Sequence, residues 1–388
     1  MAESEDKKRQ AFRFVFIIGI VSLFADFTYE GSRSIVGPYL SHLGASGAAV
    51  GIVAGLGELL GYGLRMLSGR ISEKTRKFWT ITIFGYVVQM FAVPLLALAG
   101  SWQVAALLVV AERVGKATRN PPRNVMLTHA GDVIGHGWVF GMHQAMDQFG
   151  AMMGPLCVAV VLAKQGNYKT AFAMLLIPAL LTLITVALAR CLFPTPENLH
   201  APLEDLQTEG LPRRFWIYLA GAMLVAAGFP DFALMAFHFS KTAAVPESWI
   251  PIFYAIAMGT SGLGSLLFGK WFDKKGVAVL LPLTLAVVIF VPMVYLGGFW
   301  LALAGTALWG LGMGVHESIM PAAVTKMVPP ARRASAYGIF SAFYGGAWFI
   351  GSMVIGLCYD HSIAAVMAFC IVAELLAIPC FMKLMRHS

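Results

Sequence analysis

The chain is a succession of apolar runs, each about 20 residues long, separated by short polar or Gly/Pro-containing breaks. Such a run crosses a bilayer as one α-helix, because lipid offers no water to hydrogen-bond an unpaired backbone. Twelve spans are predicted: 14–40, 47–69, 78–100, 102–122, 137–163, 170–192, 215–240, 249–270, 277–297, 299–325, 333–358 and 362–384. The expected fold class is an all-α membrane protein of twelve transmembrane helices. One polar stretch of any length follows the start, the Pro- and Glu-rich segment 194–212. It reads as a cytoplasmic linker between an N-terminal six-helix bundle, 1–193, and a C-terminal one, 213–388.

Composition strengthens this reading. The 388 residues are 58% hydrophobic and 12% charged, with mean hydropathy +0.74; a soluble domain carries about 25% charge. A water-facing surface cannot be covered with so few polar groups. The five cysteines, Cys157, Cys191, Cys358, Cys370 and Cys380, have neither metal-ligand nor disulfide spacing and are read as buried free thiols. The basic start, Met1 to Arg13, runs into an apolar segment too long for a cleavable signal.

The net charge of +8 changes the picture only through its placement. Lys7, Lys8, Arg9, Arg13, Arg70, Lys74, Arg76, Lys77, Arg119, Arg123, Arg190, Arg213, Arg214, Lys270, Lys274, Lys275, Lys326, Arg332, Arg333, Lys383 and Arg386 fall on one side of the predicted spans. Lys164, Lys169 and Lys241 fall on the other. The positive-inside rule then puts both termini in the cytoplasm of a multi-pass inner-membrane protein. The expected partners are the lipid bilayer, protons and a small-molecule substrate; no nucleic acid is expected, and the chain is expected to be a monomer.

Shifted on itself, the chain shows a weak repeat. Gly69, Glu73 and Lys74 meet Gly269, Asp273 and Lys274 at an offset of 200, as Pro121 meets Pro321. Gly141, Ala145 and Gly154 meet Gly338, Ala342 and Gly351 at 197, and Asp26-Phe27 is echoed by Asp231-Phe232. Parallel repeats place a binding site near the midplane between two halves.

The segment Gly69 to Lys77 resembles the cytoplasmic loop signature of the major facilitator superfamily, with a second copy at Gly269 to Lys275. Glu73 stands where an Asp is usual, and Arg76 where Gly is common. The resemblance implies a charged latch at a cytoplasmic gate. Gly141, Gly150 and the pair Gly154-Pro155 in span 5 look like the superfamily's antiporter motif, which implies export, although Val158 and Ala159 replace its closing glycines. Physically, the glycines allow close helix approach and Pro155 a bend. Glu112 to Lys116 partly resembles the family's span 4 motif. The resemblance implies two pseudo-symmetric six-helix bundles, the major facilitator fold.

Ionisable residues inside spans are functional candidates by default, because each is costly in lipid. Asp26 and Glu30 share one face of span 1, which Arg33 extends. The alternatives there are a Glu30–Arg33 ion pair and a protonation switch at Asp26. His143 and Asp147 are four apart in span 5, as a proton relay or as a polar interhelical contact. Asp26, Glu30, Asp147 and His143 are the candidates for proton coupling. Glu112 and Arg113, being adjacent, should point about 100° apart and not pair; Arg113 is expected to meet Asp26 or Asp147. The substrate cavity is expected to draw on Arg33, Glu58, Glu112, Arg113, Lys116, Asp231, His316, Glu317, Tyr344 and Trp348, with Arg65 structural. Phe229, Phe232, Phe237 and Phe343 offer an apolar wall or simple packing. Glu374 interrupts span 12, which the resemblance implies is peripheral and faces lipid.

No enzyme signature and no phosphate loop occurs, and no cofactor or metal is expected. The function expected is a proton-coupled antiporter that exports a small amphipathic molecule by alternating access. The alternatives are a symporter or uniporter for an organic anion, with Arg33, Arg113 and Lys116 as the anion site, and, remotely, a non-transporting scaffold or sensor.

Overall fold

The computed structural model describes residues 2–194, 210–328 and 333–385; segment 195–209, most of the predicted linker, lies outside them, as do Arg332 and Arg386. Within these residues the chain forms helices α1 (Ala2–His42), α2 (Gly47–Thr75), α3 (Phe78–Leu95), α4 (Trp102–Ile134), α5 (His136–Gln165), α6 (Tyr168–Met174) and α7 (Leu176–Leu192). The series continues with α8 (Arg213–Gly228), α9 (Phe232–Thr242), α10 (Ile250–Lys275), α11 (Leu280–Leu296), α12 (Phe299–Met327), α13 (Arg333–His361) and α14 (Ile363–Met385). No strand occurs among the described residues. The twelve predicted spans are recovered, with α6 and α7 forming span 6 and α8 and α9 forming span 7.

The break in span 7 has a local cause. Pro230 has no N–H to continue the ladder. Asp231 then starts a new helix, its carboxylate accepting from the Ala233 N–H at 2.9 Å. The freed Pro230 carbonyl accepts from Trp309 Nε1 at 2.9 Å.

Eleven segments among the described residues are long and apolar enough to cross a membrane; α4 is not one of them. Its 33 residues are long enough, at 1.5 Å each, but six charged residues interrupt the apolar run. The prediction ended this span at residue 122, which put Arg119 and Arg123 at a cytoplasmic boundary. The helix instead continues through Pro121 and Pro122 to Ile134. Both arginines are buried inside it. The cysteine reading is also corrected: Cys370 is buried, whereas Cys191 is exposed and the other three are half-buried.

The chain forms two compact units, Met1–Arg33 with Gly63–Leu203 and Ser34–Tyr62 with Glu204–Ser388. In the first, α3 and α4 cross where two glycines meet. A Cβ on Gly85 would sit 2.7 Å from the Gly115 carbonyl oxygen, and one on Gly115 would sit 2.7 Å from that of Gly85. Gly150 and Gly154 do the same for α5 against α1, where a Cβ would fall on the carbonyl oxygens of Leu23 and Phe27. Small residues allow such contact where lipid gives no hydrophobic drive for helix association. Gly141 and Gly269 have open space where a Cβ would stand, and Gly69 has only ordinary contact with Pro121. Side chains of Glu73 and Asp273 lie outside what is described; Lys74 is exposed.

In the second unit the start of α2 is held by Asp360 at the end of α13. Its carboxylate accepts from the Gly47 and Ala48 N–H groups at 2.7 and 2.8 Å, satisfying two of the helix's first donors. The core of this unit is aromatic: Phe229 packs against Trp309, Trp348, Phe290 and the His316 ring at 4.3–5.9 Å between centroids.

These glycine contacts set a stability prediction. Gly154→Leu should lower the thermal unfolding temperature of purified protein by the equivalent of about 1–3 kcal/mol, the usual range for overpacking. Gly141→Ala should leave it unchanged. Equal effects at both positions would show that the α1–α5 contact does not limit packing.

Candidate functional site

The charged residues of the first unit form two facing stripes. On α4, Glu112, Lys116, Arg119 and Arg123 recur at steps of four, three and four, which keeps them on one side of the helix. On α1, Ser22, Asp26, Tyr29, Glu30 and Arg33 do likewise. The helices run in opposite directions, so partners descend on one as they ascend on the other. Arg123 Nη1 donates to Ser22 Oγ at 3.1 Å, and Arg119 Nη2 lies 3.4 Å from Asp26 Oδ1. Lys116 Nζ lies 3.9 Å from Glu30 Oε1, and Arg113 Nη1 donates to the Tyr29 hydroxyl.

Arg119 is the hub. Its side chain is 0% exposed. Nε donates to Gln89 Oε1 at 2.6 Å and Nη1 to the Tyr86 hydroxyl at 3.0 Å, both on α3, while Nη2 faces Asp26. Its guanidinium carbon also stands 4.5 Å from the centre of the Tyr86 ring. A buried cation is tolerated only when its donors are taken up in this way. Gln89 then turns its own amide outward along the stripe, donating to Glu112 Oε1 at 2.9 Å. The Gly85–Gly115 crossing brings α3 close enough for these bonds.

From the other side, the close approach of α5 to α1 brings in His143 and Asp147. His143 Nε2 is 2.7 Å from Ser22 Oγ, and His143 Nδ1 is 3.4 Å from Asp147 Oδ2. The predicted i,i+4 pair therefore exists in space. Four acids of the unit each have a basic neighbour: Asp26 with Arg119, Glu30 with Lys116, Glu112 with Arg113, Asp147 with His143.

Two expectations are corrected. Adjacent Glu112 and Arg113 do pair, Arg113 Nε lying 3.6 Å from Glu112 Oε2. Their backbone vectors diverge, but the long arginine stem curls back toward the carboxylate. Arg119, not Arg113, stands at Asp26, while Arg113 reaches Tyr29. Three cations converge on that one phenol: Arg113, Arg33 at 3.5 Å from its hydroxyl, and Lys116 Nζ at 3.5 Å from its ring centre.

The predicted residues of the second unit are described within that unit. Asp231 caps α9. Tyr344 and Trp348 are buried in the aromatic core, and the Tyr344 hydroxyl hydrogen-bonds His316 Nδ1. Phe229, Phe232 and Phe237 are packed there too, whereas Phe343 and Glu317 are exposed. Glu58 is half-buried, one turn before Tyr62, whose ring meets Tyr344 at 5.6 Å. Arg65 is exposed. Glu374 turns into the protein: it is 0% exposed, and neither carboxyl oxygen has a hydrogen-bond partner among the described residues.

The residues that sequence reading missed are Arg119 and Arg123, taken as a cytoplasmic flank, and the uncharged Ser22, Tyr86 and Gln89. The repeat of α4 charges at steps of three and four was the available signal for the arginines. Nothing in a single sequence marks the uncharged partners.

A family model described as Major Facilitator Superfamily matches residues 15–352 and 215–388. An uncharacterized protein of Mycobacterium tuberculosis is 39% identical over 379 residues, covering 95% of this chain and 92% of the relative. An uncharacterized MFS-type transporter of Methanocaldococcus jannaschii is 25% identical, covering 93% and 92%. The Fosmidomycin resistance protein of Escherichia coli is 22% identical, covering 100% and 97%. Among solved structures, the nucleoside transporter NupG superposes with a TM-score of 0.72 at 17% identity, covering 96% of this chain and 98% of that one. The peptide transporter POT in complex with sulfate gives 0.73 at 14%, covering 96% and 93%. At such identities these two establish the fold and nothing finer.

Removing the hub should be severe. Arg119→Met strands Asp26, Tyr86 and Gln89 and should destabilise the purified protein by about 3–5 kcal/mol, the cost of breaking a buried pair. Pairing it with Asp26→Asn should recover part of that loss in a double-mutant cycle on thermal unfolding. Strictly additive losses would mean that the two side chains are not coupled.

Proposed function

The chain belongs to the Major Facilitator Superfamily, and on that premise we propose that it is a proton-coupled antiporter exporting a small amphipathic molecule by alternating access. Membership itself makes it a multi-pass membrane transporter of a small-molecule substrate and not an enzyme. Proton coupling, export, a monomeric state, an inner-membrane location and cytoplasmic termini belong to this proposal. So do two six-helix halves, 1–193 and 213–388, moving about a linker at 194–212.

One observation carries the coupling: a ladder of buried and half-buried acid–base pairs along α1, α4 and α5. A carboxylate that takes up a proton releases its basic partner, and a released cation changes what the helices prefer to pack against. Asp26 is the best placed, because the cation it would release also holds two residues of α3. Protonating it therefore alters contacts among three helices at once. Export is supported by the span 5 glycine pattern and accords with the name of the E. coli relative, a resistance protein.

A second reading is supported by the three cations around Tyr29. Arg33, Arg113 and Lys116 would suit an organic anion, carried with protons in the same direction or alone.

Proteoliposomes loaded with a pH-sensitive dye test both readings, with ethidium as the amphipathic cation and benzoate as the anion. Antiport predicts that ethidium transport moves protons the opposite way and that Asp26→Asn abolishes the proton flux. Transport that ignores the pH gradient, and persists in Asp26→Asn, would remove proton coupling. Arg113→Glu with Lys116→Glu should abolish benzoate binding under the anion reading and spare ethidium under the export reading.

A further inference from the structure

We propose that Ser22 and Arg123 are positioning residues that fix the tautomer of His143, aim its Nδ1–H at Asp147, and leave Asp147 Oδ1 as the atom that takes up a proton. The purpose of this arrangement rests on the proton-coupled reading above; the hydrogen-bond order does not.

The argument is a count of donors. A guanidinium can donate but never accept. Arg123 Nε and Nη2 both donate to Asn124 Oδ1, at 3.3 and 3.2 Å, which clamps the group and leaves Nη1 for Ser22 Oγ at 3.1 Å. Ser22 is thus an acceptor on that side and has one proton left to give. His143 Nε2 stands 2.7 Å away to receive it. A neutral imidazole carries a single N–H. With Nε2 accepting, that hydrogen is on Nδ1, 3.4 Å from Asp147 Oδ2. The chain of donation runs one way, from Arg123 through Ser22 and His143 to Asp147.

The opposite tautomer is disfavoured on two counts. It would set the bare Nδ1 lone pair against a carboxylate oxygen, and it would deny the Ser22 hydrogen the acceptor 2.7 Å away. His143 is itself buried.

At the end of the chain, Asp147 Oδ1 is buried and has no hydrogen-bond partner among the described residues. Oδ2 faces His143 Nδ1 at 3.4 Å, so Oδ1 is the oxygen without a donor competing for it. A proton added there converts carboxylate to carboxylic acid, with His143 neutral throughout and its Nδ1–H bond merely weakened. The groups facing Asp147 are Arg123, Arg119 and Lys116 on α4 and Asp26 on α1. Neutralising Asp147 removes a like charge from Asp26 and gives Asp26 a larger share of Arg119. The relay on α5 is thereby tied to the hub between α1 and α4.

One competing arrangement is specific. The Ser22 hydroxyl also lies close to the Asp147 carboxyl. Were it to donate there, His143 would carry its hydrogen on Nε2. Full-length protein with ¹⁵N-labelled histidine, in lipid nanodiscs near neutral pH, separates the two by solid-state NMR. The His143 signals are assigned by their loss in His143→Gln. The proposal expects a protonated Nδ1 and an unprotonated, hydrogen-bonded Nε2. It also expects Ser22→Ala to raise the Nε2–H population and Ser22→Thr to restore the wild-type tautomer. A wild-type hydrogen on Nε2, or a tautomer unchanged in Ser22→Ala, would overturn it. Should Ser22→Ala fail to fold, the wild-type spectrum decides alone. Transport insensitive to a pH gradient would remove the proton-coupled reading and leave the tautomer result standing.

Discussion

A guanidinium with no access to water, held inside a membrane helix, is the constraint around which the first unit is organised. Arg119 cannot shed its charge, so every donor it carries has to meet an acceptor supplied by protein. One acceptor comes from α1 and two from α3, so those helices must sit at fixed depth and rotation relative to α4. The Gly85–Gly115 crossing follows from that demand, since Gln89 and Tyr86 reach the arginine only if the α3 and α4 backbones touch. Tyr86 contributes twice, through its hydroxyl and its ring face. Asp26 differs from the other two acceptors because it alone can be neutralised. The structural role of this pair and its proposed transport role are therefore the same interaction in two protonation states.

The second unit solves its packing by different means. Its core is built from stacked and edge-on rings, with Asp231 and Asp360 spent on capping helices rather than on partnering cations. The asymmetry between charged and aromatic halves was visible in the residue list. Its meaning was less visible: Tyr344 and Trp348 look the same in sequence whether they line a passage or fill a core. Burial assigns them to the core. Glu374 remains the exception in this unit, a fully buried acid on the last helix.

Much of the architecture was legible because lipid imposes a strong rule. All spans but α4, and most boundaries, follow from the length of apolar runs. The failures fall where tertiary partners override that rule. Arg119, Pro121, Pro122 and Arg123 together look like the polar end of a span, and nothing local says otherwise. The helix runs on because Asp26, Gln89, Tyr86 and Ser22, distant in sequence, together with the adjacent Asn124, satisfy the arginines. The Glu112–Arg113 contact was not legible because backbone direction does not fix where a side chain with four rotatable bonds ends. The Asp26–Glu30 stripe and the His143–Asp147 pair were readable, since helical periodicity alone brings residues four apart together. The break at Pro230-Asp231 is not among the predicted features: the hydrophobicity on both sides reads as one continuous span, 215–240.

The charge on α4 also bears on how the chain is made. A helix carrying several ionised groups enters a bilayer poorly alone, at roughly 2.5–3.5 kcal/mol for each Lys, Arg or Asp near its centre. The residues that offset this cost, on α1 and α3, leave the ribosome earlier. Biogenesis is thus ordered by the sequence itself: α4 has somewhere to go only once its acceptors are already waiting in the membrane, and α3 and α4 partition most favourably as a joined hairpin.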